Sequence, residues 1–187
     1  MRRAWPALLL VSAILGACGE RRTPPPSLTT PMGFAAGRQT LSYPAAGVTM
    51  ALPRGWSAIA GRAPMVVTAS GGPATVTVWR YPRTEALPRT RASLRHALSA
   101  LLGAVRSRDA SFRLESARVL RLVGRPAVQV VGLETVDGQP RRVRSEHIYA
   151  HGAETVIDAF APEAQFRAVN AGVFRPLLRS LRIGPPR

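Results

Sequence analysis

The chain contains no lysine, although it carries 26 basic residues against ten acidic ones, and it has one cysteine and three histidines in 187 residues. A single cysteine excludes an intramolecular disulfide and any metal site built from several thiolates. No Gly-x-Ser-x-Gly elbow occurs, since TASGG lacks the leading glycine, and neither a phosphate-cradling glycine loop nor a His-Glu-x-x-His zinc signature is present. The residues therefore offer no recognisable reaction chemistry, and a non-enzymatic role is expected. The N-terminal apolar stretch, residues 4–17, contains Pro6 and Ser12 and falls short of the ~20 apolar residues that a membrane-crossing helix needs.

That stretch follows Arg2 and Arg3 and ends in Leu15-Gly16-Ala17-Cys18. A positive start and a short apolar run suit a secretory signal, and LGAC resembles the lipobox of bacterial lipoproteins. The resemblance implies cleavage before Cys18, a diacylglycerol on its thiol and further acyl chains such as palmitate, with no other cofactor. An ordinary secretory signal with an accidental cysteine is the competing reading. Two or three chains on one residue anchor durably, at ~0.8 kcal/mol per buried CH₂. Cys18 is thus expected as an anchor rather than a nucleophile, on the extracytoplasmic side of the cell membrane or outer membrane.

Residues 1–17 read as the signal peptide and 18–40 as the lipidated cysteine with a Pro/Thr/Gly-rich tether. Residues 41–183 form one domain of ordinary size, and 184–187 a short tail. Within the domain, GVTMALPRGWSAI (47–59) reads as strand, tight turn and strand, with Val48, Met50, Leu52, Trp56 and Ile59 on the core side. PMVVTA and ATVTVWRY form a hairpin, with Gly71 and Gly72 supplying positive φ. A helix is expected from about Thr90 to Val105, with Leu94, Leu98, Leu101, Leu102 and Val105 on one stripe. Strands follow at about 112–122, 126–136, 141–150 and 154–160, and PAVQVVGLETV, apolar on both faces, reads as central. A last helix starts at Pro162, buries Phe166, Val169, Val173, Leu177 and Leu181, and kinks at Pro176.

GVTMALPRGW, GRPAVQVVG (124–132) and HIYAHGAETVIDAFAPEAQF (147–166) resemble the opening hairpin, central strand and last hairpin of PsbP-like domains, a fold shared with a Ran-binding nuclear import factor. The resemblance implies an α+β protein: an α-β-α sandwich around a mainly antiparallel sheet. Many bacterial members are lipoproteins without an assigned reaction.

Without residues 1–17 the chain keeps 24 arginines against ten acids, a net +14. Codon bias in a GC-rich genome accounts for arginine in place of lysine, but not for the excess. An exported protein rarely meets nucleic acid, so that partner is not expected. Guanidinium grips phosphate bidentately, and basic residues near a membrane are drawn to anionic headgroups. Arg141, Arg142 and Arg144, and Arg175, Arg179 and Arg182 at i, i+4 and i+7, are the candidate anion contacts. A merely solvated face is the alternative for each cluster.

His147 and His151 would lie about 13 Å apart in a strand, too far for one ion, so no metal site is expected. Asp158 reads as a partly buried acid in an ion pair, Asn170 as a satisfied core amide, and Trp56, Trp79 and Tyr81 as structural. The expected function is a membrane-anchored, non-catalytic binding or accessory module of the cell envelope, acting on an envelope protein, anionic lipid or cell-wall polymer. The alternatives are a carrier or chaperone for a hydrophobic molecule or lipid, using a sheet–helix cleft, and a hydrolase that sets Asp158 or a histidine beside a nucleophile.

Overall fold

Alternating apolar residues at period two build two antiparallel sheets. The computed structural model describes residues 37–187 except Asp137; the signal, Cys18 and most of the tether lie outside the described residues. The strands are β1 (Arg38–Tyr43), β2 (Val48–Pro53), β3 (Ser57–Ala60), β4 (Met65–Gly71), β5 (Ala74–Pro82), β6 (Arg113–Leu122), β7 (Arg125–Val136), β8 (Gln139–Ala150), β9 (Ala153–Pro162) and β10 (Arg182–Ile183). Seven of them form one sheet in the order β3-β4-β5-β9-β8-β7-β6, and β1-β2-β10 form a small second sheet.

Helix α1 (Arg91–Arg108) lies over β6 and β7 on one face of the large sheet. Thr90 caps it: the hydroxyl accepts from Ser93 N–H and the Ser93 side chain returns the bond, which satisfies two otherwise orphaned amides. Leu94 packs with Val128 and Tyr149, and His96 faces solvent. The opposite face carries the C-terminal helix and the small sheet, around a core that includes Met50, Leu52, Val76, Ile157, Phe174 and Leu181. The expected α-β-α layering and mainly antiparallel sheet are present.

The last helix is three pieces: α2 (Glu163–Val169), a π turn (Asn170–Phe174) and α3 (Arg175–Ser180). Its expected stripe is buried throughout, together with Phe174 and Leu178. The irregularity expected at Pro176 takes the form of the π turn, in which Arg175 N–H reaches the Asn170 carbonyl. Proline has no N–H to return to Gly172, so the ladder rearranges one turn earlier.

Four expectations are corrected. The stretch 47–59 is not one hairpin, because β2 pairs with β1 and β10 while β3 pairs with β4. Ile59 is 70% exposed, since β3 is an edge strand with no layer over it there. Only Gly72 of the β4–β5 turn has positive φ; at Gly71 a Cβ would lie 2.4 Å from the Trp56 indole, so packing excludes a side chain. β7 is next to the edge rather than central, and its two-sided burial comes from α1 above and the main core below. Regular structure also begins at Arg38, before Leu41, and the tail is held by Gly184 N–H on the Gly47 carbonyl and Arg187 N–H on Pro44.

Candidate functional site

Successive side chains of β8 point to opposite faces, so Arg142, Arg144 and Glu146 face the C-terminal helix while Ser145, His147 and Tyr149 face away from it. Two polar arrangements result.

On the helix side, Glu146 is 1% exposed. Its Oε1 accepts from Gln129 Nε2 and, at 2.7 Å, from Arg144 Nε. Arg144 Nη1 donates to Asn170 Oδ1 at 3.1 Å, which places the amide at the start of the π turn in a bond, as its position in the apolar arc had suggested. Glu146 Oε2 has no hydrogen-bond partner among the described residues, and Glu146 borders a cavity of about 10 Å³ walled by residues including Ile157, Phe174 and Leu177. That volume holds one water and no hydrophobic ligand.

Outside Arg144 the surface opens into a groove of about 530 Å³ lined by Leu122, Val123, Arg144, Arg175, Leu178 and Arg179. Arg175 and Arg179, one helical turn apart, are exposed, and no acidic partner for them occurs among the described residues. The wall is unusual at Val123, which has φ +45° and forms the β6–β7 turn with Gly124 at φ +75°. A two-residue turn of this kind favours Asn, Asp or Gly. A β-branched residue there stores strain on the order of 1–3 kcal/mol. Its side chain packs against the main core and lines the groove.

Of the six candidate anion contacts, the fold therefore brings together Arg144, Arg175 and Arg179. The other three are engaged elsewhere. Arg141 Nη1 donates to the Pro73 carbonyl at 3.2 Å. Arg142 lies over the Phe166 ring and between Glu115 and Glu163, at 2.5 and 3.7 Å, so its charge is matched. Arg182 has left the helix for β10; its Nη1 donates to the Leu181 carbonyl at 2.9 Å, and it borders a separate groove near Pro44 and Arg187.

On the other face a file of buried polar side chains runs across β8 and β9. Arg83 donates to Glu154 Oε2, and His147 Nδ1 to Glu154 Oε1 at 2.7 Å. His147 Nε2 lies 3.1 Å from Ser145 Oγ, which donates to Asp158 Oδ1 at 2.5 Å. Burial alone would raise the Glu154 carboxyl, but the hydrogen bonds and charges of His147 and Arg83 outweigh it and hold the group at about 2. Tyr149 is pushed well above its ordinary range by burial and then by the Glu154 charge. Trp79 and Tyr81 stack nearby on β5, with centroids 6.3 Å apart.

The order hydroxyl, imidazole, carboxylate is that of a hydrolytic triad, and Asp158 and His147 do flank a hydroxyl. Two features set it apart from one. Ser145 gives its proton to Asp158 rather than to the imidazole. Its strand is also paired on both sides, with Val130 and Asp158 opposite Ser145, so the local amides belong to the sheet and cannot cradle an oxyanion. His151 is exposed in the β8–β9 turn, apart from His147, and among the described residues no three His, Cys, Asp or Glu side chains converge as a metal site.

The sequence matches no protein-family model and no curated protein. Solved structures share the fold. The solution structure of cyanobacterial PsbP (CyanoP) from Synechocystis has a TM-score of 0.61 at 14% identity, covering 91% of this chain and 99% of that one. LpqN, involved in cell envelope biogenesis of Mycobacterium tuberculosis, has 0.54 at 14%, covering 80% and 91%. The Ran-binding protein Mog1p of Saccharomyces cerevisiae has 0.53 at 8%, covering 80% and 96%. At these identities the likeness is one of fold, and the fold is PsbP-like.

Proposed function

We propose that the chain is an exported lipoprotein of the bacterial cell envelope, anchored by acyl chains on Cys18, whose domain binds an envelope partner and catalyses no reaction. The observation that carries binding over catalysis is the placement of charge. Arg175 and Arg179 stand unmatched beside Arg144 at an open groove, whereas the polar groups of the sheet are turned on one another. One solved protein of this fold is involved in cell envelope biogenesis and another binds Ran, which supports a recognition role for the scaffold here. The partner is an envelope protein, an anionic lipid or an anionic cell-wall polymer. A carrier that encloses a whole hydrophobic molecule inside the core is disfavoured, because the internal cavity beside Glu146 and Phe174 is about 10 Å³ where an enclosing ligand pocket needs roughly 300 Å³ or more.

Metabolic labelling with palmitate in the native host tests the anchor. The wild-type chain should take up label and fractionate with membranes, and Cys18→Ser should do neither. Cross-linking of the lipidated protein in cells should then yield one dominant partner. Absence of label, or membrane association unchanged by Cys18→Ser, would overturn the anchoring.

A further inference from the structure

We infer that the groove between the β6–β7 turn and α3 is a binding site for a phosphomonoester-headed lipid. This rests on the envelope reading above for its biological setting, but not for its chemistry. The charge count selects the headgroup. Arg144 is matched by Glu146, so the groove keeps two net positive charges, from Arg175 and Arg179. A phosphomonoester carries about −1.5 to −2 at pH 7, which two unmatched guanidiniums balance; a phosphodiester, with one negative charge, would leave one over.

The geometry is arranged for an oxyanion. Arg144 lines the groove, is 12% exposed, and is pinned through Nε by Glu146 and through Nη1 by Asn170, with no bond from Nη2 to another of the described residues. A guanidinium held by two side-chain bonds loses little freedom when it takes a ligand oxygen. Arg175 and Arg179 supply planar forks from the helix side.

The apolar part of the wall selects a lipid over free phosphate. Leu122 and Val123, both half-buried, line this open groove of about 530 Å³ with the buried Leu178 behind them, which gives it an apolar wall beside the arginines. Val123 is the informative member. The turn would be relaxed with Asn or Gly, yet it holds a branched apolar side chain at φ +45° on the groove wall. Strain of this kind gathers at ligand sites.

The test titrates the full-length chain, in nonionic detergent, with three probes: dihexanoyl phosphatidic acid, dihexanoyl glycerol and inorganic phosphate. Phosphatidic acid should bind saturably and at least about tenfold more tightly than either of the others. Arg175→Glu with Arg179→Glu, both on the exposed surface, should weaken it at least about tenfold at unchanged melting temperature. Val123→Asn should weaken phosphatidic acid and leave inorganic phosphate unchanged. Equal affinity for phosphatidic acid and inorganic phosphate would make this a free-phosphate site and overturn the lipid assignment. Equal affinity for phosphatidic acid and dihexanoyl glycerol, or binding indifferent to the charge reversals, would overturn the anion site. None of these outcomes depends on Cys18, so palmitate labelling and cross-linking separate a failure here from a failure of the anchored-module reading.

Discussion

His147 Nδ1 donates to Glu154 Oε1 at 2.7 Å across the β8–β9 hairpin, and Arg83 holds the other oxygen of the same carboxylate. Both hairpin residues are buried, so this carboxylate keeps its charge inside the protein only because two donors share it.

Acid should therefore unfold the protein through Glu154. Its folded-state value of about 2 lies below the ordinary 4.5. A depressed carboxyl contributes stability above the unfolded value, and that contribution is lost as pH falls from 4.5 towards 2. The amount is on the order of 3 kcal/mol. Urea titrations at about pH 5 and about pH 2.5 should show this loss in the wild type and a smaller one in Glu154→Gln. An equal loss in both would assign the acid sensitivity to other groups.

Arg144→Met leaves Glu146 charged and buried without its cation, so it should destabilise by roughly 3–5 kcal/mol. Pairing it with Glu146→Leu removes both charges and should recover most of that. The four denaturation midpoints of the double-mutant cycle measure the coupling; additive effects would show that the two side chains do not interact.

Two glycines should respond in opposite directions to alanine. At Gly47, φ is +62° and a Cβ would stand 2.2 Å from the Gly184 carbonyl oxygen. Gly47→Ala should cost at least about 1–3 kcal/mol, through strain and displacement of the tail. Gly103 lies within α1 with nothing within 4 Å of its missing Cβ, so Gly103→Ala should stabilise by about 0.5–1 kcal/mol. Thermal melts of the two variants should move to opposite sides of the wild type.

Ser145 should be inert. A fluorophosphonate probe that labels activated serines should leave it unmodified, because its proton is committed to Asp158 and no amide cradle faces it. Ser145→Ala should lower stability by about 1.5–3 kcal/mol, the value of a hydrogen bond to a charged group. Stoichiometric labelling at Ser145 would reverse the non-catalytic reading.

Local features were legible in the chain because they depend on near neighbours alone. The leucine stripe of α1, the Thr90 region as its start, the stripe of the C-terminal helix and the four long strands each follow from period or turn chemistry within a dozen residues. The Ser145–Asp158 pair was partly accessible by the same logic. Once the turn is set at His151-Gly152, a two-residue hairpin places 150 opposite 153, and Ser145 falls opposite Asp158. Periodicity alone marks Asp158 as a buried acid in need of a partner; the register supplies the Ser145 hydroxyl as one.

The separation of β2 and β3 into different sheets was not legible. Alternation reports that one face is buried and is silent on which strand supplies the edge. β1 was masked by its polar, proline-flanked surroundings, and its partner β2 supplies the order that its own residues do not.

By itself the sequence determined the periods of its helices and strands, the places where the chain turns, and a large arginine excess with a single thiol. Tertiary structure alone decided which arginines are spent and which remain. Arg141 and Arg142 meet a carbonyl and two carboxylates, while Arg144 joins Arg175 and Arg179 from a helix more than 30 residues later at one groove. Charge is a property of composition, but whether a charge is matched depends on distance, and distances between remote segments exist only once the layers have packed.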